Sequence, residues 1–277
     1  MFLQKFYSSN SMLFPEFFSF IRVNICTFGS FISGVGFLLF NQFDLFNLAL
    51  TFLSSFFIIA SVYSINNITD TKEDIINRKK INFFAQNPSG RIYSFLLFSI
   101  ALILSFLVSS NAVIFILLYG AFGVIYSTIR VKEFSQAKNI YTGILTGLLF
   151  LIGATAFHSV SIEILAYFIL FSYFIFIASF ISDLRDIEGD SKAGVLTAVV
   201  KLGKFKAKKV LHLFALIFFA ITFFAPLPNL KFFGLLSLPM FYLAEKEEFK
   251  TAHGFSGIAI ILFFGLNLLL GFSAFNF

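Results

Sequence analysis

The chain has 277 residues, of which 58% are hydrophobic and only 12% are charged. Its mean hydropathy of +0.92 excludes a soluble globular domain and indicates an integral membrane protein, with membrane lipid around it. The 20 Lys and Arg exceed the 14 Asp and Glu, but for a chain this apolar we expect no nucleic-acid partner.

Nine apolar stretches approach the roughly 17 to 25 residues that a membrane-spanning helix requires. They lie near residues 17–40, 45–65, 92–109, 111–129, 139–157, 162–182, 210–226, 229–244 and 254–275. The eighth stretch is short, and only Pro226-Leu227-Pro228-Asn229 separates it from the seventh. We therefore predict an all-α, polytopic membrane protein, a bundle of about nine transmembrane helices around a central cavity that forms one domain over residues 1–277.

The basic residues orient this predicted bundle, because Lys and Arg accumulate in cytoplasmic loops. Nineteen of the twenty basic residues fall at one predicted end of the bundle, and only Lys231 falls at the other. The amino terminus is therefore predicted to be cytoplasmic and the carboxyl terminus to lie on the opposite side, with the cell membrane as the expected location.

Two polar segments at the predicted cytoplasmic end hold seven of the fourteen acidic residues. The first acidic segment, residues 66–74, has polar side chains at i, i+4 and i+8: Asn66, Asp70 and Asp74. The second acidic segment, residues 183–190, has carboxylates at i, i+3 and i+7: Asp183, Asp186 and Asp190. On helices, these spacings place each set on one face. The two segments follow the second and sixth predicted helices. Solvation of a loop does not explain two carboxylate clusters at helical spacing, so we expect them to have a function.

Clustered carboxylate and amide oxygens are the ligands that Mg²⁺ prefers, and Mg²⁺ commonly binds substrate phosphates. A diphosphate carries roughly three negative charges and cannot approach aspartates unless divalent cations lie between them. We therefore predict a Mg²⁺ and diphosphate site at the cytoplasmic rim. Nearby side chains are candidates to bind the phosphate oxygens: Lys72, Arg78, Tyr126, Arg130, Lys132 and Arg185.

These motifs resemble those of the UbiA superfamily of intramembrane prenyltransferases. Asn66-x-x-x-Asp70-x-x-x-Asp74 is similar to its first aspartate-rich motif, and Asp183-x-x-Arg-Asp186-x-Glu-Gly-Asp190 is similar to its second. Three other segments resemble family patterns: Arg22-Val23-Asn24, Pro88-Ser89-Gly90-Arg91 and Tyr126-Ser127-x-x-Arg130-x-Lys132. The similarity covers residues 17–275.

The resemblance implies an enzyme that transfers a polyprenyl group from a polyprenyl diphosphate to a lipophilic acceptor with the help of Mg²⁺. It implies that Asp70, Asp74, Asp183 and Asp190 are essential, that Asn66 and Asp186 are further metal ligands, and that Asn24 helps to bind substrate. Diphosphate leaves, and the acceptor takes the allylic carbocation. Such a reaction needs no protein nucleophile, in keeping with three histidines that form no Ser/His/Asp or Cys/His set.

Three departures from the family pattern concern other contacts. Asn67 stands where many members have Asp, Val23 replaces the usual Pro, and residues 82–87 lack an Arg-Pro pair. The predicted metal ligands remain intact.

Two alternatives to a transferase stay open. An intramembrane terpene cyclase of the same fold would use the same site without a second substrate, and a transporter would place its acidic groups nearer the bilayer midplane. The acceptor also stays open among a quinone-precursor aromatic compound, a chlorophyll-type compound and a glycerol-phosphate lipid.

Overall fold

The structure is a computed structural model that describes residues 14–76, 81–129, 131, 137–192, 194–227 and 229–274, except for the side chains of residues 72–74, 76 and 271–274. Within these residues every regular element is helical. Nine long helices follow one another: α1 (Val23–Phe40), α2 (Leu45–Ile76), α3 (Pro88–Val108), α4 (Ser110–Thr128), α5 (Ala137–Ala154), α6 (Ile162–Lys192), α7 (Lys204–Phe224), α8 (Leu230–Glu245) and α9 (Phe249–Ala274). Two short helices, Phe83–Gln86 and Ala198–Leu202, lie between them.

Eight of these helices are long and apolar enough to cross a membrane. The exception is α8, which has 16 residues and contains Pro239. At 1.5 Å per residue it is about 24 Å long, which is less than the ~30 Å thickness of a hydrocarbon core. The predicted all-α membrane bundle is confirmed, and among its nine long helices in the described residues α8 is the one too short to span the membrane by itself.

Both acidic segments are helical, as their spacing predicts. The apolar stretches predicted at 45–65 and 162–182 continue as helix to Ile76 in α2 and to Lys192 in α6. These helices have 32 and 31 residues. Since a helix of that size is about 46 Å long, its last turns extend beyond the hydrocarbon layer. The residues of both acidic segments therefore belong to helix ends rather than to loops.

The described helices surround a central cavity. One side is formed by α1, α2, α4 and α5, which pack against one another, and the other side is formed by α6 and α9. On the outside, α3 packs against α2 and α4, while α7 and α8 pack beside α6 and α9. Aromatic rings from α6, α8 and α9 pack together. Between ring centroids, Phe233 of α8 lies 4.9 Å from Phe174 of α6 and 5.0 Å from Phe263 of α9.

Two glycines bring the backbones of α1 and α5 into direct contact. A methyl group at Gly36 would overlap the carbonyl oxygen of Phe150, and one at Gly153 would overlap the carbonyl oxygen of Ser33. Asn41, at the end of α1, also donates a 3.0 Å hydrogen bond from Nδ2 to the carbonyl oxygen of Gly153. Small residues allow such close approach in membrane helices, and this contact fixes α5 against the centre of the bundle.

At the end of the bundle opposite the acidic segments, a side chain caps the first turn of α2. Asp44 accepts hydrogen bonds from the backbone N–H of Phe46 at 2.9 Å and from Nδ2 of Asn47 at 2.6 Å. The hydrogen bonds from Asn47 lower the pKa of Asp44 below its ordinary value. The cap therefore stays ionised at neutral pH and satisfies N–H groups that the helix itself cannot pair.

Candidate active site

The central cavity has two adjoining chambers. The polar chamber has a volume of about 170 Å³ and lies beside the first acidic segment, with Arg22, Asn66, Tyr126 and Ser127 in its wall. The apolar chamber, of about 320 Å³, extends between α1 and α9 and includes Asn24, Phe28, Ile59, Leu149, His253 and Ile260. Four side chains line both chambers: Tyr63, Tyr119, Thr142 and Thr146. A polar head and an apolar tail of one ligand would therefore each meet a matching wall.

In the first acidic segment, Asn66 and Asp70 face the same way. Asn66 donates a 2.9 Å hydrogen bond from Nδ2 to Oδ2 of Asp70. Its Oδ1 accepts a 3.4 Å hydrogen bond from the hydroxyl of Ser127 on α4. The predicted i, i+4 pairing is confirmed for these two residues, and Ser127 orients the amide.

The second acidic segment begins with a buried and fully paired carboxylate. The Asp183 side chain is only 1% exposed, and its Oδ1 lies 2.6 Å from Nζ of Lys138. Its Oδ2 accepts a 2.9 Å hydrogen bond from Nδ2 of Asn139, whose own Oδ1 accepts one of 2.6 Å from the hydroxyl of Ser179. A carboxylate buried this deeply requires such partners, since burying an unpaired charge is costly. The start of α5 thus holds Asp183 in one position.

Farther along α6, Arg185 and Asp186 form a bidentate ion pair. Nε and Nη2 of Arg185 donate to the two carboxylate oxygens of Asp186 at 2.7 and 2.6 Å. The two side chains are 36% and 47% exposed, so this pair contributes at most about 1 kcal/mol. At little cost, an incoming phosphate can replace Asp186 as the partner of Arg185, or an incoming cation can replace Arg185 as the partner of Asp186. Asp190 lies one turn farther on the same helix.

The two acidic segments approach one another around Tyr126. The Asp70 and Asp183 carboxylates both lie within electrostatic range of this phenol, which lines the polar chamber. Among the described side chains, no three Asp, Glu, His or Cys groups converge closely enough to hold a metal ion alone. The donor set nevertheless suits Mg²⁺, which binds through one or two carboxylates and completes its shell with water and substrate phosphate oxygens.

Five predicted site residues cannot be located in this geometry. Arg78, Arg130 and Lys132 lie outside the described residues. Lys72 and Asp74 belong to the helical backbone of α2, but their side chains lie outside the described part of the chain. Their predicted roles stay predictions.

Arg22 interrupts the helix that the sequence predicts over 17–40. Its φ of 54° is left-handed, and helical residues 14–21 precede it while α1 follows it. Nη2 of Arg22 donates to Oδ1 of Asn67 at 3.2 Å, and Nδ2 of Asn67 donates to the carbonyl oxygen of Phe20 at 2.6 Å. The guanidinium also lies 5.2 Å from the ring centroid of Tyr63. Asn67 therefore holds an unfavourable backbone conformation that places a cation at the polar chamber.

Sequence reasoning missed several residues of this site. Lys138 was visible only as one basic residue among many, and no pattern marked Asn139. The three histidines looked alike in the sequence, but only His253 lines the described chambers, whereas His212 pairs with Glu245 on the outside of the bundle.

Comparison with known proteins finds relatives of this chain among membrane-embedded enzymes. The model of the UbiA prenyltransferase family matches residues 28–251. The digeranylgeranylglyceryl phosphate synthase of Methanosarcina barkeri is 30% identical over 213 residues, which cover 74% of this chain and 71% of that protein. The corresponding synthase of Methanocaldococcus jannaschii is 28% identical over 235 residues, with coverage of 81% and 80%.

Solved structures give the same fold. A UbiA homolog from Archaeoglobus fulgidus bound to GPP and Mg²⁺ superposes with a TM-score of 0.69 at 17% identity, covering 92% of this chain and 98% of that one. A structure of digeranylgeranylglyceryl phosphate synthase superposes with a TM-score of 0.67 at 23% identity, with coverage of 93% and 98%.

Proposed function

Because this chain belongs to the UbiA prenyltransferase family and is a membrane-embedded prenyltransferase, we propose that it transfers a polyprenyl group from its diphosphate to a glycerol-phosphate lipid. The observation that carries the choice of acceptor is the similarity to digeranylgeranylglyceryl phosphate synthases over about three quarters of the chain or more. By their name, those relatives make digeranylgeranylglyceryl phosphate, a glyceryl phosphate that carries two geranylgeranyl groups. The acceptor proposed here is accordingly a glycerol-phosphate lipid with one prenyl chain and one free hydroxyl group.

The bonds change in a simple way. The allylic C–O bond of the donor breaks, and the bonding electrons leave with diphosphate. The hydroxyl oxygen of the acceptor forms a new C–O bond to the same carbon and loses its proton. An allylic cation is short-lived in water, so the apolar chamber contributes by excluding water around the reacting carbon.

The donor headgroup belongs in the polar chamber under this proposal. Bound Mg²⁺ would neutralise the charge of the leaving diphosphate. Its proposed protein ligands come from both acidic segments: Asn66, Asp70, Asp74, Asp183, Asp186 and Asp190. Phosphate oxygens would be bound by the remaining proposed contacts: Lys72, Arg78, Tyr126, Arg130, Lys132 and Arg185. Asn24 would bind substrate from α1, where it lines the apolar chamber.

The same charges support an orientation. In the sequence, both acidic segments belong to the predicted end of the bundle that collects nineteen of the twenty Lys and Arg residues, and by the positive-inside rule we infer that this end is cytoplasmic. The proposed site would therefore receive water-soluble Mg²⁺ from the cytoplasm and both lipid substrates from the membrane.

The test uses purified protein in lipid nanodiscs with a polyprenyl diphosphate, Mg²⁺ and one candidate acceptor at a time. Diphosphate release and an ether product should require both Mg²⁺ and the singly prenylated glycerol phosphate. A double variant, Asp70→Ala with Asp183→Ala, should abolish turnover. Glu163→Gln is the matched control, because it removes an exposed carboxylate at the opposite end of α6.

Three results would contradict the proposal. Prenylation of an aromatic acceptor but not of the glycerol phosphate would show that the acceptor class is wrong. A cyclised donor formed without any acceptor would identify a terpene cyclase instead. Full activity in the double variant would remove the acidic segments from the mechanism.

A further inference from the structure

His253 lies in the wall of the apolar chamber and has no role in the steps of the proposed reaction given above. It lies in the first turns of α9 and lines the apolar chamber together with Ser256, Gly257 and Ile260, which follow at i+3, i+4 and i+7 on the same face. Asn24 lines the same chamber from α1. His253 is the only histidine among the described residues that line either chamber.

The depth of His253 places it between the headgroup region and the hydrocarbon region. Its ring lies beside the backbone carbonyl of Ala178 on α6, and Arg185 and Asp186 are within electrostatic range. Ala178 precedes Asp183 by five residues, which is about 7.5 Å along a helix axis. A diphosphate held at the second acidic segment would thus present the start of its prenyl chain near the level of this imidazole.

The two ring nitrogens differ in their surroundings. Nδ1 is buried and has no hydrogen-bond partner among the described residues. Since the ring forms part of the chamber wall, Nε2 is the nitrogen left to meet a molecule in the chamber.

The reaction proposed above needs a proton acceptor at this place, because a hydroxyl group cannot become an ether oxygen without losing its proton. Carboxylates of the acidic segments serve poorly while they are paired with metal or with Lys138 and Arg185. The leaving diphosphate, under the proposed function, lies toward the polar chamber rather than in the apolar wall where the acceptor hydroxyl would lie. A neutral imidazole in the apolar wall can accept a proton without creating a buried anion.

Resting on the proposed function, we propose that His253 is the catalytic base that takes the acceptor's hydroxyl proton. The acceptor oxygen forms the C–O bond to the allylic carbon, the donor C–O bond breaks with its electrons going to diphosphate, and the proton passes to Nε2 of His253. The carbonyl of Ala178 is placed to accept a hydrogen bond from the imidazolium that results. Release of the proton to water through the polar chamber restores the neutral ring.

The experiment compares wild type, His253→Ala and His158→Ala in nanodiscs, with a polyprenyl diphosphate, Mg²⁺ and the singly prenylated glycerol phosphate. His253→Ala should lower the rate of ether formation about 100-fold, the lower end of the usual contribution of a general base. Donor affinity should change less than twofold. Because water can react with the allylic cation in place of the acceptor, the ratio of prenyl alcohol to ether should rise. Added imidazole should restore part of the ether rate. His158→Ala, in the loop at the opposite end, should match wild type.

Each outcome decides between the explanations. A loss that imidazole restores supports the proposal. An unchanged rate and product ratio in His253→Ala overturns it, and so does a loss accompanied by weaker donor binding that imidazole leaves unchanged, because a structural role would explain that result. If wild type forms no ether with this acceptor, the proposed function fails, and that result is separate from any effect of His253.

Discussion

The support of Asp183 by Asn139 gives the sharpest quantitative prediction. Asn139→Ala removes one hydrogen bond to a buried charged carboxylate and one from the hydroxyl of Ser179. A hydrogen bond to a charged group contributes about 1.5–3 kcal/mol and a neutral one about 0.5–1.5 kcal/mol. The variant should therefore lose about 2–4.5 kcal/mol of unfolding free energy, since Asp183 and Asn139 are each only 1% exposed and water cannot replace the lost partner.

A double-mutant cycle in mixed micelles isolates the Asp183 contribution. The free energy of unfolding is measured for wild type, Asn139→Ala, Asp183→Ala and the double variant. The coupling energy should be at least about 1 kcal/mol, because residues in one hydrogen-bond network do not behave additively. Asn111→Ala, whose amide bonds to the carbonyl of His158 at the other end of the bundle, should combine additively with Asp183→Ala. A coupling energy near zero for Asn139 would refute the argument that this amide holds the carboxylate.

Two further predictions test packing and orientation. In thermal unfolding, Gly153→Val should lower the unfolding free energy by about 3 kcal/mol or more, because the valine side chain would meet the backbone of α1. Gly265 has open space around it, so Gly265→Ala should change the unfolding free energy by no more than about 1 kcal/mol. Equal stability of the two variants would show that α1 and α5 can separate. In a Cys26→Ser background, cysteines introduced by Ser191→Cys and Ser159→Cys, at the two ends of α6, should react with an impermeant thiol reagent from opposite sides, with Ser191→Cys cytoplasmic. Labelling of both from one side would mean that α6 does not cross the membrane.

The features that sequence predicted are those that depend on local chemistry. Apolar length located the nine long helices of the described residues, and spacing placed Asn66 and Asp70 on one face, because both properties depend on residues within a few turns of one helix. The break at Arg22 was not predictable in this way, since its left-handed backbone depends on Asn67, 45 residues away. The partners of Asp183 are likewise 44 and 45 residues distant, and no periodic pattern marks a contact of that kind. His253 shows the same limit, because its role depends on α9 packing beside α6 and α1.

Two carboxylates of the second acidic segment are each paired with a basic side chain, and this balance bears on how substrate binds. Asp183 is paired with Lys138 and Asp186 with Arg185. Under the proposed assignment, a diphosphate without metal would draw the cations away and leave the buried Asp183 carboxylate unpaired, which typically costs about 3–5 kcal/mol. A metal ion without diphosphate would instead displace the cations and leave them without partners. Mg²⁺ and diphosphate together supply both signs, so each should tighten the binding of the other, and reciprocity requires the two effects to be equal in free energy.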